Sequence, residues 1–117
     1  MVGSGWTFDG TLAHYVRGDW DKHGPTHIGE PVPRMVKRVR AWLAEGRDVR
    51  IMTARVCPDN ERNMEDILHA ISVWCKKHVG RILPVTCMKD PDMIILYDDR
   101  CIQVEPNTGR LIEESSD

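Results

Sequence analysis

Trp6-Thr7-Phe8-Asp9-Gly10-Thr11-Leu12 is the stretch on which the reading of this chain turns. An apolar, β-prone run carrying one carboxylate stops at Gly-Thr, the pattern of a strand that ends in a tight loop with exposed backbone amides. In α/β proteins chemistry gathers at such ends. The carboxylate can act as a general acid or base, and the amides of a turn such as Gly10-Thr11 can receive a phosphate. Taken alone, Asp-Gly is also a common turn dipeptide that needs no function at all. Upstream, Gly3, Ser4 and Gly5 weaken a strand, and Gly3-Ser4-Gly5 lacks the third glycine of a dinucleotide fingerprint. The strand therefore rests for its burial on Trp6 and Phe8.

Downstream, residues 10–33 read as one long loop, broken by Gly18, Gly24, Pro25, Gly29, Pro31 and Pro33. A structureless connection of that length is unusual in a small domain. His14, Tyr15, Trp20, His23 and His27 on it suit either a flap over a site or a solvated connector with its aromatics tucked against the core. Pro33 opens a predicted helix that runs to Glu45, with Val32, Met35, Val36, Val39, Trp42 and Leu43 on one face and Arg34, Lys37, Arg38 and Arg40 mostly opposite; Gly46 closes it. Asp48 to Thr53 reads as a second strand, ending in Thr53-Ala54-Arg55. A second helix starts at Pro58-Asp59, carries Met64, Ile67, Leu68, Ile71, Trp74 and Cys75 at helical spacing, and stops at Gly80. Ile82 to Thr86 is a third strand. Met93-Ile94-Ile95-Leu96-Tyr97 reads as a fourth, buried on both faces and followed by Asp98-Asp99-Arg100. Cys101 to Val104 completes the strands, Asn107-Thr108-Gly109 is a turn, and residues 113–117 form a frayed tail. Alternating strands and helices imply a parallel sheet with crossovers, a single three-layer α/β domain over residues 1–112.

Composition narrows the function. The 117 residues are 41% hydrophobic and 29% charged, with net charge −2, so there is neither a membrane-length apolar run nor a basic footprint for broad nucleic-acid binding. Nucleic acid as a partner is reduced to a phosphorylated end. The N-terminus has no signal-peptide pattern, and Cys57, Cys75, Cys87 and Cys101 lack zinc-ligand spacing; the expectation is a cytoplasmic protein with four reduced, mostly buried thiols.

In a parallel sheet, Asp9, Thr53, the Lys89 segment and Asp98-Asp99 converge on one edge. Adjacent carboxylates need a cation or hydrogen bonds, and magnesium supplies the former with oxygen ligands. Thr53 offers a hydroxyl, Lys89 a point charge, and Arg55 and Arg100 bidentate contacts to a phosphoryl group. These residues resemble the motifs of the haloacid dehalogenase superfamily: Phe8-Asp9-Gly10-Thr11-Leu12 the first, Ile51-Met52-Thr53 the second, Lys89 the third, and Leu96-Tyr97-Asp98-Asp99 the fourth, in order across residues 6–104.

That resemblance implies a Rossmann-like sheet with helices on both faces, no cap domain, and magnesium-dependent phosphomonoester hydrolysis. It implies Thr7, Asp9, Thr53 and Lys89 as the catalytic positions, Gly10, Thr11, Ala54 and Arg55 as substrate contacts, and Asp9, Asp98 and Asp99 around the metal. The substrate would be a phosphorylated molecule of unspecified class, and an uncovered site is compatible with a homodimer. The chain departs from the family at the nucleophile: the first motif is Asp-x-Asp-Gly-Thr, and Thr7 stands where its first aspartate belongs. A threonine hydroxyl is protonated at neutral pH and needs an adjacent base, so turnover is expected to be impaired. A pseudoenzyme that binds phosphate or metal without turnover, and an interaction module with solvated strand-end carboxylates, are the alternatives.

Overall fold

The computed structural model describes residues 3–57 and 64–112. The expected helix start at Pro58-Asp59 and the tail at 113–117 lie outside the described residues, as does the side chain of Trp20. The described chain is α/β: strands β1 (Gly3–Thr7), β2 (Asp48–Met52), β3 (Val85–Thr86) and β4 (Met93–Tyr97), and helices α1 (Asp19–His23), α2 (Pro33–Ala44) and α3 (Met64–His78). All strand pairings are parallel, in the order β3-β2-β1-β4.

The sheet is built outward from β1. Ser4, Trp6 and Phe8 alternate onto one face, where Trp6 and Phe8 are fully buried. The Trp6 ring stacks on Tyr97 of β4 at 3.7 Å and meets Trp42 of α2 edge-on at 6.0 Å, while Phe8 meets Trp74 of α3 edge-on at 4.9 Å. The Trp6 indole N–H donates to the Ser4 hydroxyl at 2.8 Å, which in turn donates to the Asp48 carbonyl, so the buried polar atoms of this layer are satisfied. Both crossover helices thus press on the same face. The chain steps from β1 to β2 to β3 in one direction, and right-handed crossovers then place α2 and α3 on one side. The glycines that weaken β1 in isolation have a tertiary use. A Cβ on Gly5 would come within 2.7 Å of the Met93 side chain and 3.0 Å of Leu96 on the other face.

Several sequence expectations change. The apolar run of β4 does not mark a strand buried on both faces: β4 is a sheet edge, Ile94 is 61% exposed and Ile95 39%. The physical reason lies next to it, because Cys101–Val104 forms no strand among the described residues to cover that edge; Val104 makes only an isolated bridge to Leu111. The third strand is two residues long, since Ile82 points to solvent and only Val85 and Thr86 pair with Ile51 and Met52. The thiols are not mostly buried: Cys75 is, Cys57 and Cys87 are half-buried, and Cys101 is exposed. Burial pushes the Cys75 thiol up to about 11. The turn at 107–109 forms as read, with Asn107 and Gly109 at positive φ.

No helix of the described residues is long and apolar enough to cross a membrane.

Candidate functional site

The order β3-β2-β1-β4 reverses direction at β1, because β2 lies on one side of it and β4 on the other. A parallel sheet opens a crevice at the carboxyl ends of strands where its order reverses. A cavity of about 400 Å³ occurs there, lined by Thr7, Asp9, Gly10, Tyr15, Arg17, Thr53, Ala54, Asp99 and Arg100. Residues read from three separate strand ends meet on its wall.

The loop after β1 is set by hydrogen bonding. The Phe8 carbonyl accepts from the amides of Thr11, Leu12 and Ala13, and the Gly10 amide donates to the Ala13 carbonyl at 2.8 Å. This tight turn holds Gly10 at φ +90°, and a Cβ at that position would run into the Asp99 carboxylate. Glycine is therefore required on two counts, backbone conformation and space. Thr11 is buried and links the β1 and β4 ends: its hydroxyl donates to Asp99 Oδ1 at 3.1 Å and accepts from the Asp99 amide at 3.2 Å.

At the end of β2, the Thr53 hydroxyl accepts the Arg55 amide at 3.1 Å and caps the short 3-10 turn Ala54–Val56. Its own hydrogen remains free for an acceptor in the cavity. The Arg55 side chain, only 1% exposed, turns inward. Nε and Nη2 donate to the two oxygens of Asp9 at 2.9 and 2.8 Å, and Nη1 donates to the carbonyls of Pro25 at 2.6 Å and His27 at 2.8 Å. Arg55 thus ties a carboxylate of the cavity wall to the 10–33 segment. That segment is more than a solvated connector. Its Gly29 carbonyl accepts the Trp74 indole N–H at 3.0 Å, its Val32 amide donates to Leu12, and Tyr15 and Arg17 line the cavity.

Of the residues singled out in the sequence, Thr7, Asp9, Gly10, Tyr15, Thr53, Ala54, Asp99 and Arg100 lie together on the wall. Arg55 stands behind Asp9. Asp98 lines a neighbouring depression with Gly10, Thr11 and Met35, and its Oδ1 accepts the Arg100 amide at 2.9 Å. Lys89 is exposed and does not line the cavity. Arg17 was not singled out. No spacing marks it, because it reaches the wall only through the path of the long loop.

Thr7 is the anomaly of the site. Its Oγ1 is buried and has no hydrogen-bond partner among the described residues, whereas buried hydroxyls are ordinarily paired. The magnesium that the family resemblance implies fits this donor set poorly. Both oxygens of Asp9 accept from Arg55, Thr7 brings a neutral hydroxyl, and Asp98 lines not this cavity but the neighbouring depression, where Asp99 is also found. Among the described residues no three His, Cys, Asp or Glu side chains converge as a metal-binding group. Comparison of the chain with protein-family models, with curated proteins and with solved structures gave no match.

Proposed function

We propose that the chain is a Rossmann-like, capless phosphohydrolase scaffold of the haloacid dehalogenase type, cytoplasmic, whose strand-end cavity binds a phosphate ester and whose turnover is impaired by Thr7. The observation that carries this reading is the meeting of Thr7, Asp9, Thr53 and Asp99 around one cavity at the reversal of the strand order. In this reading the Thr53 hydroxyl donates to a phosphoryl oxygen and Asp9 serves as the acid toward the leaving group. Each Asp9 oxygen accepts from Arg55, so taking up the proton that Asp9 delivers to the leaving group means loosening one of those two bonds. Thr7 occupies the attacking position with a hydroxyl that no base of the described residues activates, its oxygen making no hydrogen bond. A third layer on the open face of the sheet, and a second copy covering the cavity, belong to the same proposal.

The carboxylates as arranged among the described residues do not make a site for magnesium. A carboxylate at position 7 would supply the missing ligand and the missing nucleophile together. The test is hydrolysis of an aryl phosphate by the parent chain and by Thr7→Asp, with and without magnesium. The expected result is magnesium-dependent activity in Thr7→Asp that exceeds the parent by roughly a hundredfold or more. Equal activity in both would overturn the assignment of position 7. A catalytically silent phosphate-binding protein is the second reading, favoured by the orphaned Thr7 hydroxyl; it predicts that inorganic phosphate raises the melting temperature while both forms stay inactive.

A further inference from the structure

We propose that the groove between α2 and α3 binds the phosphodiester backbone of a nucleic-acid strand through Lys37, Arg40 and Lys77. The groove shares no lining residue with the strand-end cavity, so the inference stands apart from the phosphohydrolase reading. The net charge of −2 averages over an uneven distribution. Residues 31–44 and 67–81, which hold α2 and most of α3, carry seven Lys and Arg and no Asp or Glu; the other nine Lys and Arg share the rest of the chain with all 18 Asp and Glu. Packing of both helices on one sheet face brings part of this charge together. A depression of about 440 Å³ is lined by Lys37 and Arg40 of α2, Lys77 and His78 of α3, and Pro31, Pro33 and Val36, with no carboxylate. Arg40 reaches across to the end of α3, its Nη2 lying 3.8 Å from the place a Cβ on Gly80 would take. Lys37, Arg40 and Lys77 are exposed, and none makes an ion pair among the described residues.

The fold alone does not account for this gathering of like charge. Lys37 and Arg40 stand three residues apart on one helix face, where like charges destabilise. The first turn of α2 favours carboxylates, has none, and carries Arg34 instead. The dipole at the end of α3 suits Lys77 but explains nothing on α2. An anion from outside the chain removes the repulsion, and the shape of the groove selects its kind. A bilayer is a plane that basic faces enter with large apolar side chains, and Pro31, Pro33 and Val36 provide none. A nucleic-acid strand is narrow, bears a charge on each phosphate and fits a groove. The lining holds no Phe, Tyr or Trp on which bases would stack, so contact is to the backbone and independent of sequence. The adjoining depression shares Lys77 and His78 and contains Glu30, which ends the cationic track there.

The test is fluorescence anisotropy of a labelled oligothymidylate without terminal phosphates, titrated with the full chain between about 20 and about 200 mM salt. The probe offers the strand-end cavity no phosphomonoester, so its result bears on the groove alone. Binding on the order of 10⁻⁵ M is expected at low salt, with log K falling against log salt at a slope of about −2, the value for three phosphate contacts on a single strand. Arg40→Gln combined with Lys77→Gln should weaken binding roughly tenfold or more and flatten the slope to about −0.7. Arg40→Lys with Lys77→Arg keeps the charge and should retain the slope. Lys22→Gln with Arg110→Gln makes the same change of charge elsewhere and should stay within about threefold of the parent. Absence of binding at low salt overturns the proposal, as does an equal loss in the two glutamine pairs, which would make the attraction a diffuse effect of total charge. Tighter binding to vesicles of phosphatidylserine and phosphatidylcholine, or to polyglutamate, than to the oligothymidylate also overturns it, by giving the groove to another polyanion.

Discussion

The two sides of the strand reversal differ in how fully their polar groups are satisfied. On the β2 side, the Arg55 side chain donates to both oxygens of Asp9 and to two carbonyls of the 10–33 segment, and is almost wholly buried. On the β4 side, Asp98 and Asp99 are held by a backbone amide and one threonine, and the strand that carries them exposes Ile94 and Ile95. The β2 side has one arrangement that satisfies it, since removing any partner strands a buried charge. The β4 side can lose a side chain and let water replace it. Position on the sheet is the cause: β2 lies inside, flanked by β1 and β3, while β4 is an edge.

The comparison breaks first at Arg55. Arg55→Gln leaves the Asp9 carboxylate and two loop carbonyls without their donor and is expected to destabilise the chain by about 3–5 kcal/mol in denaturant unfolding. Asp99→Asn, on the exposed side, should cost about 1 kcal/mol or less in the same experiment. If Asp9→Asn and Arg55→Gln act through one pair, the double variant will lose markedly less than the sum of the single ones. Equal losses at Arg55 and Asp99 would erase the distinction between the two sides.

Cys75 gives a pH-dependent handle on the buried side of the helix layer. Its thiol, fully buried, ionises only near 11 in the folded chain, so the unfolded chain releases this proton first as pH rises. The unfolded state then binds fewer protons than the native one, and stability falls with increasing pH. The loss should begin near pH 9 and reach on the order of 3 kcal/mol by pH 11. Cys75→Ala should flatten that slope in urea unfolding measured across the same window.

Gly10→Ala is smaller and sits between the two sides. The positive φ and the Asp99 carboxylate both oppose a Cβ, and a loss of about 1–3 kcal/mol is expected in thermal unfolding, with Asp99→Gly recovering part of it. The smallest effect belongs to the edge. Ile94→Thr should change monomer stability by about 0.5 kcal/mol or less, because most of that side chain is already in water.

Much of the frame was legible in the residues. Pro33 and Gly46 bracket α2 because fixed φ and positive φ are local properties. The alternation through Trp6 and Phe8 marked the buried face of β1, and Asp9, Thr53 and Asp99 were legible as strand-end polar groups because apolar runs stop just before them. Local patterning specifies where elements begin and which face they bury, as those depend on neighbours a few residues away. It could not decide that β4 is an edge, since a run of five apolar residues reads the same with or without a strand beside it. Nor could it direct Arg55 to Asp9, 46 residues earlier, bring Arg17 to the wall or leave the Thr7 hydroxyl unpaired. These depend on which chain segments meet across long separations, and only the packing of the sheet and the course of the 10–33 segment fixes them.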